Sequence, residues 1–526
     1  MRSKEIPPSG TADDGGPAPS AAADPGGTAA PSAAPADRMP RRQAIGLLLG
    51  PILGIGLFLL MTATVAELST VACAVAGITV LMAVWWMTEA IPFAVTALLP
   101  LALFPLVGAG DIGEVAAPYA SETIFLFLGG FVIALAMQKW ELHRRIALNT
   151  VLGVGVRPTR LIGGFMLASC FISMWVSSTA TTMMMLPMGL SIVMLLKRDG
   201  AEVDRNFSTC LLLGIAYAAT ISTTATIVAT PGNAFVVAYL AENHGIEIGF
   251  AQWMLIGTPL SAVFLVIAWL LLTRVIFPPR ITEIPGGEDL IRTQLASLGR
   301  MGRGERIVAV LFACTALSWI FIPLLNGLPA VAAAAPWLGN VSEAGIAVIA
   351  AIAFFLIPVR PGRGEMLMRW EDAKEIPWGI LLMFGGGLSM SKMITDSGLS
   401  AWIGDQVGGL SGIPAVALVV VVAVLMLFFT ELTSTTATIT TYVPVMAGIA
   451  GGLGLAPLVL VLPTVFAAGF AFMLPVATPP NAIVVGSGHV TIGQMLRGGI
   501  WLNLVGIALV PLAILTLGAW VFGLAF

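Results

Sequence analysis

Two short stretches decide the fold: SSTAT at residues 177–181 and STTAT at residues 434–438. Each lies near the middle of an apolar region that is too long for one membrane helix, 161–195 and 413–450 respectively. A helix needs about 20 residues to cross a bilayer. Because a hydroxyl cluster interrupts each region, we expect two re-entrant hairpins, each of which enters and leaves the membrane on one side.

The surroundings of the two clusters are also repeated. A block that begins with phenylalanine and contains consecutive glycines precedes each cluster by 50 residues, and a block that contains Thr-Pro and ends in asparagine follows it. The pairs are FLGG at 127–130 with FGGG at 384–387, and ATPGN at 229–233 with ATPPN at 477–481. Three matched blocks in the same order predict an internal duplication.

The composition indicates that much of the protein surface is in contact with lipid. Of its 526 residues, 58% are hydrophobic and 10% are charged, with a mean hydropathy of +0.96. Soluble domains carry about 25% charged residues. We therefore expect an all-α polytopic membrane protein, located in the plasma membrane and, from its Ala/Gly-rich composition, in a bacterial inner membrane. No basic domain is present, so nucleic acid is not an expected partner.

Eleven apolar runs are expected to span the membrane besides the two hairpins. They are 44–66, 70–88, 92–108, 123–138, 208–238, 253–277, 306–328, 341–358, 377–395, 457–488 and 498–525. If the N-terminus is cytoplasmic and neither hairpin crosses, every lysine and arginine except Lys392 falls on the cytoplasmic side, as membrane proteins prefer. The first hairpin then enters from inside and the second from outside, so the repeats are inverted, as is typical of secondary transporters.

The domain boundaries follow from this pattern. Residues 1–40 are rich in Ala, Pro, Gly and Ser and are expected to form a disordered cytoplasmic tail. The first repeat covers 41–278, with hairpin 161–195 and a broken helix at 208–238. A cytoplasmic linker at 279–305 leads to the second repeat at 306–526, with hairpin 413–450 and a broken helix at 457–488.

The Thr-Pro blocks predict breaks in two helices at membrane depth. Pro231 and Pro479 each remove a backbone N–H and interrupt a helix, with Asn233 and Asn481 two residues beyond. Carbonyls before the break can coordinate a cation, and free N–H groups at the start of the next helix attract an anion. The spans contain almost no lysine or arginine, so hydroxyls, amides and helix dipoles would hold the anion.

At these residues the chain resembles the divalent anion/sodium symporter family, which includes dicarboxylate, citrate and sulfate carriers. The most specific match is FMLPVATPPNAIVVGSG at 472–488, followed by WMTEAIP at 86–92 and SMWVS at 173–177. The resemblance covers about residues 44–526 and implies sodium-coupled symport of a small divalent or multivalent anion: a dicarboxylate, a tricarboxylate or a sulfate-like ion. It also implies a homodimer in which an elevator-type movement carries the substrate, with sodium as coupling ion and no organic cofactor.

The resemblance further implies two sodium sites beside one substrate. The substrate would contact Ser177, Ser178, Thr179, Thr230, Ser434, Thr435, Thr436 and Thr478. One sodium ion would bind Ser173, Ser177, Ser178 and the carbonyl of Ala229. The other would bind Thr430, Thr433, Thr435 and the carbonyl of Ala477.

The hairpin tips depart from the family in one respect. The family usually has Ser-Asn-Thr there, whereas this chain has Ser178 and Thr435 in place of the asparagine. A hydroxyl offers one donor where an amide offers two donors and an acceptor. A sodium-independent anion exchanger of the same fold is therefore the main alternative, and an ion channel is a weaker one. No sequence signature of an enzyme is present.

Two further features leave alternatives open. Glu431 lies three residues before the second cluster, and a carboxylate at membrane depth is either functional or held by structural hydrogen bonds. The stretch STTAT at 222–226 is also rich in hydroxyls, which either face the substrate or satisfy the backbone.

Overall fold

The computed structural model describes residues 40–198, 204–360, 362, 364–406 and 412–526. The tail predicted for residues 1–40 lies outside this part of the chain, apart from Pro40. Residues 41–526 form one compact unit.

The first half of the chain is helical. Its helices are α1 (Arg41–Thr64), α2 (Thr70–Thr88), α3 (Phe93–Thr96), α4 (Leu99–Leu106), α5 (Ile112–Ala116), α6 (Glu122–Lys139), α7 (Leu142–Val154), α8 (Pro158–Ser173), α9 (Ser178–Arg198), α10 (Arg205–Ile221), α11 (Pro231–His244) and α12 (Phe250–Leu271). The span predicted at 92–108 is two short helices, α3 and α4, because Pro100 has no N–H to donate to the carbonyl of Thr96.

The second half of the chain is also mainly helical. Its helices are α13 (Gly287–Ser297), α14 (Arg303–Asn326), α15 (Pro329–Ala334), α16 (Glu343–Leu356), α17 (Trp378–Asp396), α18 (Leu399–Gln406), α19 (Ala415–Leu432), α20 (Thr435–Gly452), α21 (Leu458–Ala468), α22 (Pro479–Gly486), α23 (Ile492–Ala513) and α24 (Ala519–Phe522). Two short antiparallel strands, β1 (Pro358–Arg360) and β2 (Glu365–Met366), form a small hairpin that the sequence did not predict.

The prediction of an all-α membrane protein is confirmed. Within the described residues, nine helical stretches are long and apolar enough to cross a bilayer. They are Arg41–Thr64, Thr70–Thr88, Ile112–Lys139, Ser178–Leu196, Arg205–Thr224, Phe250–Ile276, Arg303–Asn326, Ala415–Leu432 and Ile492–Phe522. Ser178–Leu196 and Ala415–Leu432 are arms of the predicted hairpins. Because length does not tell a hairpin arm from a full span, the topology stays a prediction.

Glycines let the first two helices approach closely. Gly46, Gly50 and Gly54 recur every four residues along α1 and all are buried against α2. A Cβ added at Gly77 of α2 would lie 2.6 Å from the carbonyl oxygen of Gly54. Small residues at such contacts are the usual basis of helix packing in membranes.

The two hairpins interlock with the two broken helices. The first hairpin, α8 with α9, packs against α10 of its own repeat, and α9 also packs against α22 of the other repeat. The second hairpin, α19 with α20, packs against α21, and α20 also packs against α11. Each hairpin therefore contacts the first half of its own broken helix and the second half of the other one, which brings both hydroxyl clusters to the same region.

The predicted linker contains a helix of its own. Helix α13 lies within 279–305, and Ile291 on one face of it is buried, whereas Glu288 and Arg292 form an exposed ion pair on another. This amphipathic pattern explains why a segment punctuated by prolines and glycines still packs against α7.

Candidate functional site

Both hydroxyl clusters stand at the beginning of a helix. Helix α8 ends at Ser173 and α9 begins at Ser178, while α19 ends at Leu432 and α20 begins at Thr435. The first N–H groups of a helix have no partner within it, and the helix dipole places partial positive charge there. Each tip therefore presents hydroxyls and free N–H groups together.

The two broken helices are interrupted in the same way. Helix α10 stops at Ile221 and α11 starts at Pro231, with two short 3₁₀ turns between them. In the second repeat, α21 stops at Ala468 and α22 starts at Pro479. The threonine before each proline is extended, with φ −147° and ψ 146° at Thr230 and φ −141° and ψ 146° at Thr478. The breaks predicted at the Thr-Pro blocks are present.

A buried asparagine braces each break. Asn233 donates from Nδ2 to the carbonyl oxygens of Thr223 at 2.7 Å and Thr226 at 2.8 Å. Asn481 donates in the same way to the residues ten and seven positions before it, with distances of 3.1 and 3.2 Å. These carbonyls have lost their helical partners, so the amide replaces a missing hydrogen bond. The two repeats share this arrangement in detail.

One cavity of about 440 Å³ brings the candidate substrate residues together. All eight of them line it: Ser177, Ser178, Thr179, Thr230, Ser434, Thr435, Thr436 and Thr478. The hydroxyls of Thr435 and Thr478 are buried and have no protein partner within the described residues. A buried hydroxyl without a partner is costly, and a bound ligand would satisfy it.

Helix α6 lines the cavity mainly with apolar residues, and Gln138 is the polar exception. Phe127, Phe131, Ala134 and Leu135 line it from one face of α6. Glu375 is the one charged side chain among the described lining residues. It is exposed, so the cavity reaches the protein surface beside it. An anion in this cavity would therefore depend on hydroxyls and helix N-termini rather than on a basic side chain.

The proposed sodium ligands surround the same cavity. Ser177, Ser178, Thr435 and the two alanines line it, whereas Ser173, Thr430 and Thr433 lie behind it.

The hydroxyls behind the cavity already donate to backbone carbonyls. Ser173 donates to Ala219 at 3.2 Å and Thr430 donates to Met426 at 2.7 Å. A hydroxyl that donates its proton in this way keeps oxygen lone pairs for a cation. The donor sets consist of neutral oxygens, which fit a hard monovalent cation.

Some lining residues were not predicted. Thr220 and Trp175 also line the cavity, and the Thr220 hydroxyl and the Trp175 Nε1 are buried without a protein partner in the described part of the chain. No spacing rule singled them out, because only the ends of their helices bring them to the cavity.

The hydroxyls of the STTAT stretch at 222–226 largely satisfy the backbone. Ser222 donates to the carbonyl of Ala219 at 2.8 Å, and Thr223 donates to that of Thr220 at 2.7 Å. These bonds replace helical ones at the end of α10. Thr223 alone in this stretch also lines the cavity.

The chain is similar to known proteins along most of its length. The family described as "Sodium:sulfate symporter transmembrane region" matches residues 47–524. Proteins named sodium-dependent dicarboxylate transporter SdcS, from Staphylococcus aureus strains USA300 and NCTC 8325 / PS 47, are 39% identical over 479 residues, which is 90% of this chain and 90% of each relative.

A solved structure shares the fold. The YdaH transporter of Alcanivorax borkumensis superposes with a TM-score of 0.56 at 14% identity and covers 92% of this chain and 99% of that one. At this identity the likeness concerns the fold alone. The family match and the 39% identity show common ancestry as well as a common fold. Together with the repeated broken helices, they show that the chain belongs to the sodium:sulfate symporter family.

Proposed function

We propose that this protein is a secondary transporter that couples the entry of sodium to the symport of a small divalent or multivalent anion. The observation that carries the proposal is the single cavity in which both hydroxyl clusters and both helix breaks meet. A ligand there would contact equivalent groups from two repeats, as expected for carriers built from inverted repeats.

Dicarboxylates are the first substrate class to test, with tricarboxylates and sulfate-like ions next. The relatives that are 39% identical are named for sodium-dependent dicarboxylate transport. Two hydroxyl-bearing helix starts can each receive one carboxylate of a short dicarboxylate. The lack of lysine and arginine among the described lining residues leaves part of the anion charge uncompensated, and sodium at the neighbouring oxygens would compensate it.

The test is uptake into liposomes that contain the purified protein. Labelled succinate and labelled sulfate are offered separately, with an inward sodium gradient and with choline in place of sodium. We expect uptake of succinate that requires sodium and saturates. A matched pair of variants localises the site: Thr435→Ala should raise the anion KM, whereas Thr441→Val, on the same helix but away from the cavity, should not.

A sodium-independent exchanger is the second candidate. The observation that favours it is the hydroxyl at Ser178 and Thr435 where the family usually has asparagine, because the amide oxygen is the better sodium ligand. Uptake that occurs only into liposomes preloaded with anion, and that ignores sodium, would select the exchanger.

The carrier mechanism and assembly are part of the same proposal. We assign the N-terminus to the cytoplasm. The two hairpins and the two broken helices would carry the substrate by an elevator-type movement, and the protein would form a homodimer in the membrane. The lining that α6 contributes supports such a movement, because Gln138 is the one side chain among its described lining residues whose hydrogen bonds could hold the moving part in place.

A further inference from the structure

One part of the cavity wall is formed where the first halves of the two broken helices end. Thr220 lies in the last turn of α10, Thr223 lies in the 3₁₀ turn that follows, and Gly469 directly follows α21. All three line the cavity, and we call them the helix-end patch. The Thr223 hydroxyl lies 2.7 Å from the carbonyl oxygen of Thr220 and 3.4 Å from that of Gly469. The ends of α10 and α21 therefore meet at this side chain.

The two hydroxyls of the helix-end patch differ in the hydrogen bonds that they can still form. Thr220 is 1% exposed, and its hydroxyl has no protein partner within the described residues, so its proton is free to be donated. Thr223 already donates its proton to the carbonyl of Thr220, so its oxygen has only lone pairs left. The patch thus offers one donor and one acceptor to a ligand in the cavity.

A carboxylate does not suit the helix-end patch. An ionised carboxylate only accepts hydrogen bonds, so it could not pair with the Thr223 oxygen. The patch also stands at the C-terminal ends of two helices, where the helix dipole places partial negative charge. The hairpin tips at Ser178 and Thr435 have the opposite polarity, because helices begin there. Carboxylates are therefore expected at the tips, and a group that both donates and accepts is expected at the patch.

The helix-end patch breaks the symmetry between the two repeats. Thr220 and Thr223 lie ten and seven residues before Thr230, whereas alanine occupies both of the corresponding positions before Thr478. The tips and the helix breaks are matched in the two repeats, so they can treat the two ends of a dicarboxylate alike. The patch belongs to the first repeat in its hydroxyls, and a site with such a one-sided feature can tell apart the two ends of a ligand.

We propose that the helix-end patch is a subsite for a hydroxyl group on the transported anion, which makes the protein prefer one enantiomer of a hydroxydicarboxylate to the unsubstituted dicarboxylate. The inference rests on the proposed transport of dicarboxylates. The substrate hydroxyl accepts the proton of Thr220 and donates its own to the oxygen of Thr223. An anion without this hydroxyl leaves both side chains unpaired, which is how a polar site rejects an analogue that lacks a polar group.

The test is uptake of labelled L-malate, D-malate and succinate into liposomes with an inward sodium gradient. We expect the wild type to have a lower KM for one malate enantiomer than for the other or for succinate. Thr220→Val removes the hydroxyl but keeps the size of the side chain. It should raise the KM of the preferred enantiomer about three- to tenfold, as expected for the loss of one hydrogen bond, and leave the KM of succinate unchanged.

Two further variants are matched to this one. Thr220→Ser keeps the hydroxyl and should keep the preference. Thr441→Val also removes a buried hydroxyl that has no partner within the described residues, but Thr441 does not line the cavity, so this variant should transport all three anions as the wild type does.

Thermal unfolding separates binding from a structural role. Without an anion, Thr220→Val should not lower the melting temperature, because the hydroxyl has no protein hydrogen bond to lose. In sodium, the preferred malate should raise the melting temperature of the wild type more than that of Thr220→Val, whereas succinate should raise both equally, because a ligand that binds the folded state stabilises it.

The outcomes separate this inference from the proposed function. If the wild type treats the three anions alike, or if Thr220→Val keeps the wild-type ratio of malate to succinate uptake, the patch binds no substrate hydroxyl. If Thr220→Val instead raises the sodium requirement for all three anions, the patch serves a cation and the inference is wrong. In each of these cases sodium-dependent uptake of succinate would still support symport. Absence of sodium-dependent uptake of all three anions by the wild type would overturn both.

Discussion

Ser178 and Thr435 differ from asparagine in the groups that they offer to a ligand. Each occupies the start of a helix that lines the cavity, so an amide there would add a second donor and a carbonyl acceptor. We predict that Ser178→Asn with Thr435→Asn shifts the ratio of succinate to sulfate uptake toward succinate by several-fold and lowers the sodium requirement. Uptake ratios measured in liposomes check this, and an unchanged ratio would show that the tips do not set the preference.

Asn233 supplies the two hydrogen bonds that hold the first helix break. We predict that Asn233→Ala lowers the melting temperature and the rate of uptake, because two buried carbonyls lose their donor at a cost of about 1–3 kcal/mol each. Asn243→Ala on the same helix is the control, since within the described residues that side chain donates to one carbonyl, that of Tyr239, and accepts a long bond of 3.5 Å from Thr395. Thermal unfolding of both purified variants gives the comparison. Equal melting temperatures would mean that the two hydrogen bonds of Asn233 do not stabilise the helix break.

A duplicated sequence pattern indicates which residues lie together, while their roles in binding stay predictions. The asparagines and the cluster hydroxyls stand at matched offsets, and the structure brings the cluster residues to one cavity. Glu431 was known from the sequence to be deep, but its partners were not. Its hydrogen bonds go to the backbone of residues 472–474, and backbone groups leave no side-chain signal in a sequence.

At the scale of elements, proline marked where α11 and α22 begin but not where the preceding helices end. Helix α10 stops ten residues before Pro231, because the hydroxyls at 222–224 donate to its last carbonyls, those of residues 219–221. The second helix stops eleven residues before Pro479. In the segment between them, Asn481 donates to the carbonyls of Ala471 and Leu474, and the N–H groups of residues 472–474 donate to the carboxylate of Glu431. Where these two helices end depends on hydrogen bonds that the surrounding structure supplies. Helix periodicity in the sequence therefore does not predict their last residues.

A buried ion pair joins helix α7 to the end of the linker, where α14 begins. Arg145 contacts both oxygens of Glu305, whose side chain is 8% exposed, and it also donates to the carbonyls of Leu298 and Gly299. We predict that Arg145→Ala destabilises the protein by about 2–3 kcal/mol, because Glu305 stays buried without its partner. The exposed pair of Arg292 with Glu288 is the matched control.

The control pair should contribute far less. Both of its side chains are largely exposed, so Arg292→Ala should cost about 0.3–0.5 kcal/mol. Thermal unfolding of the two variants in the same detergent decides the point. A smaller effect for Arg145→Ala than for Arg292→Ala would show that the linker is not anchored through this pair.

In the whole molecule, the distribution of lysine and arginine predicts which side of the membrane is cytoplasmic. The position of the cavity then indicates to which side the candidate site is open in this structure. Gln138 and Glu375, which line the cavity, adjoin Lys139 and Asp372, which form an ion pair on the predicted cytoplasmic side. The cavity therefore opens toward the side that the lysine and arginine distribution predicts to be cytoplasmic. A carrier must also show the same site to the other side, which a fixed pore does not need to do.

Cysteine labelling can test the topology. In a Cys314→Ser background, which removes the exposed native thiol, Gly339→Cys and Gly302→Cys place a thiol in open space on the predicted outer and inner sides. We predict that an impermeant maleimide labels the first in intact cells and the second only after permeabilisation. The opposite result would invert the assigned orientation.

Ala180→Cys in the same background then tests alternating access, because Ala180 lies in the first turn of α9 and lines the cavity. From the cytoplasmic side it should react readily, as the open cavity requires. From outside it should react slowly and at a rate that sodium changes, because sodium alters how often the moving part exposes the site outward. If Ala180→Cys reacts only from the cytoplasm under every ion condition, the first hairpin tip is accessible from one side of the membrane alone. That result would exclude a movement that carries the substrate across.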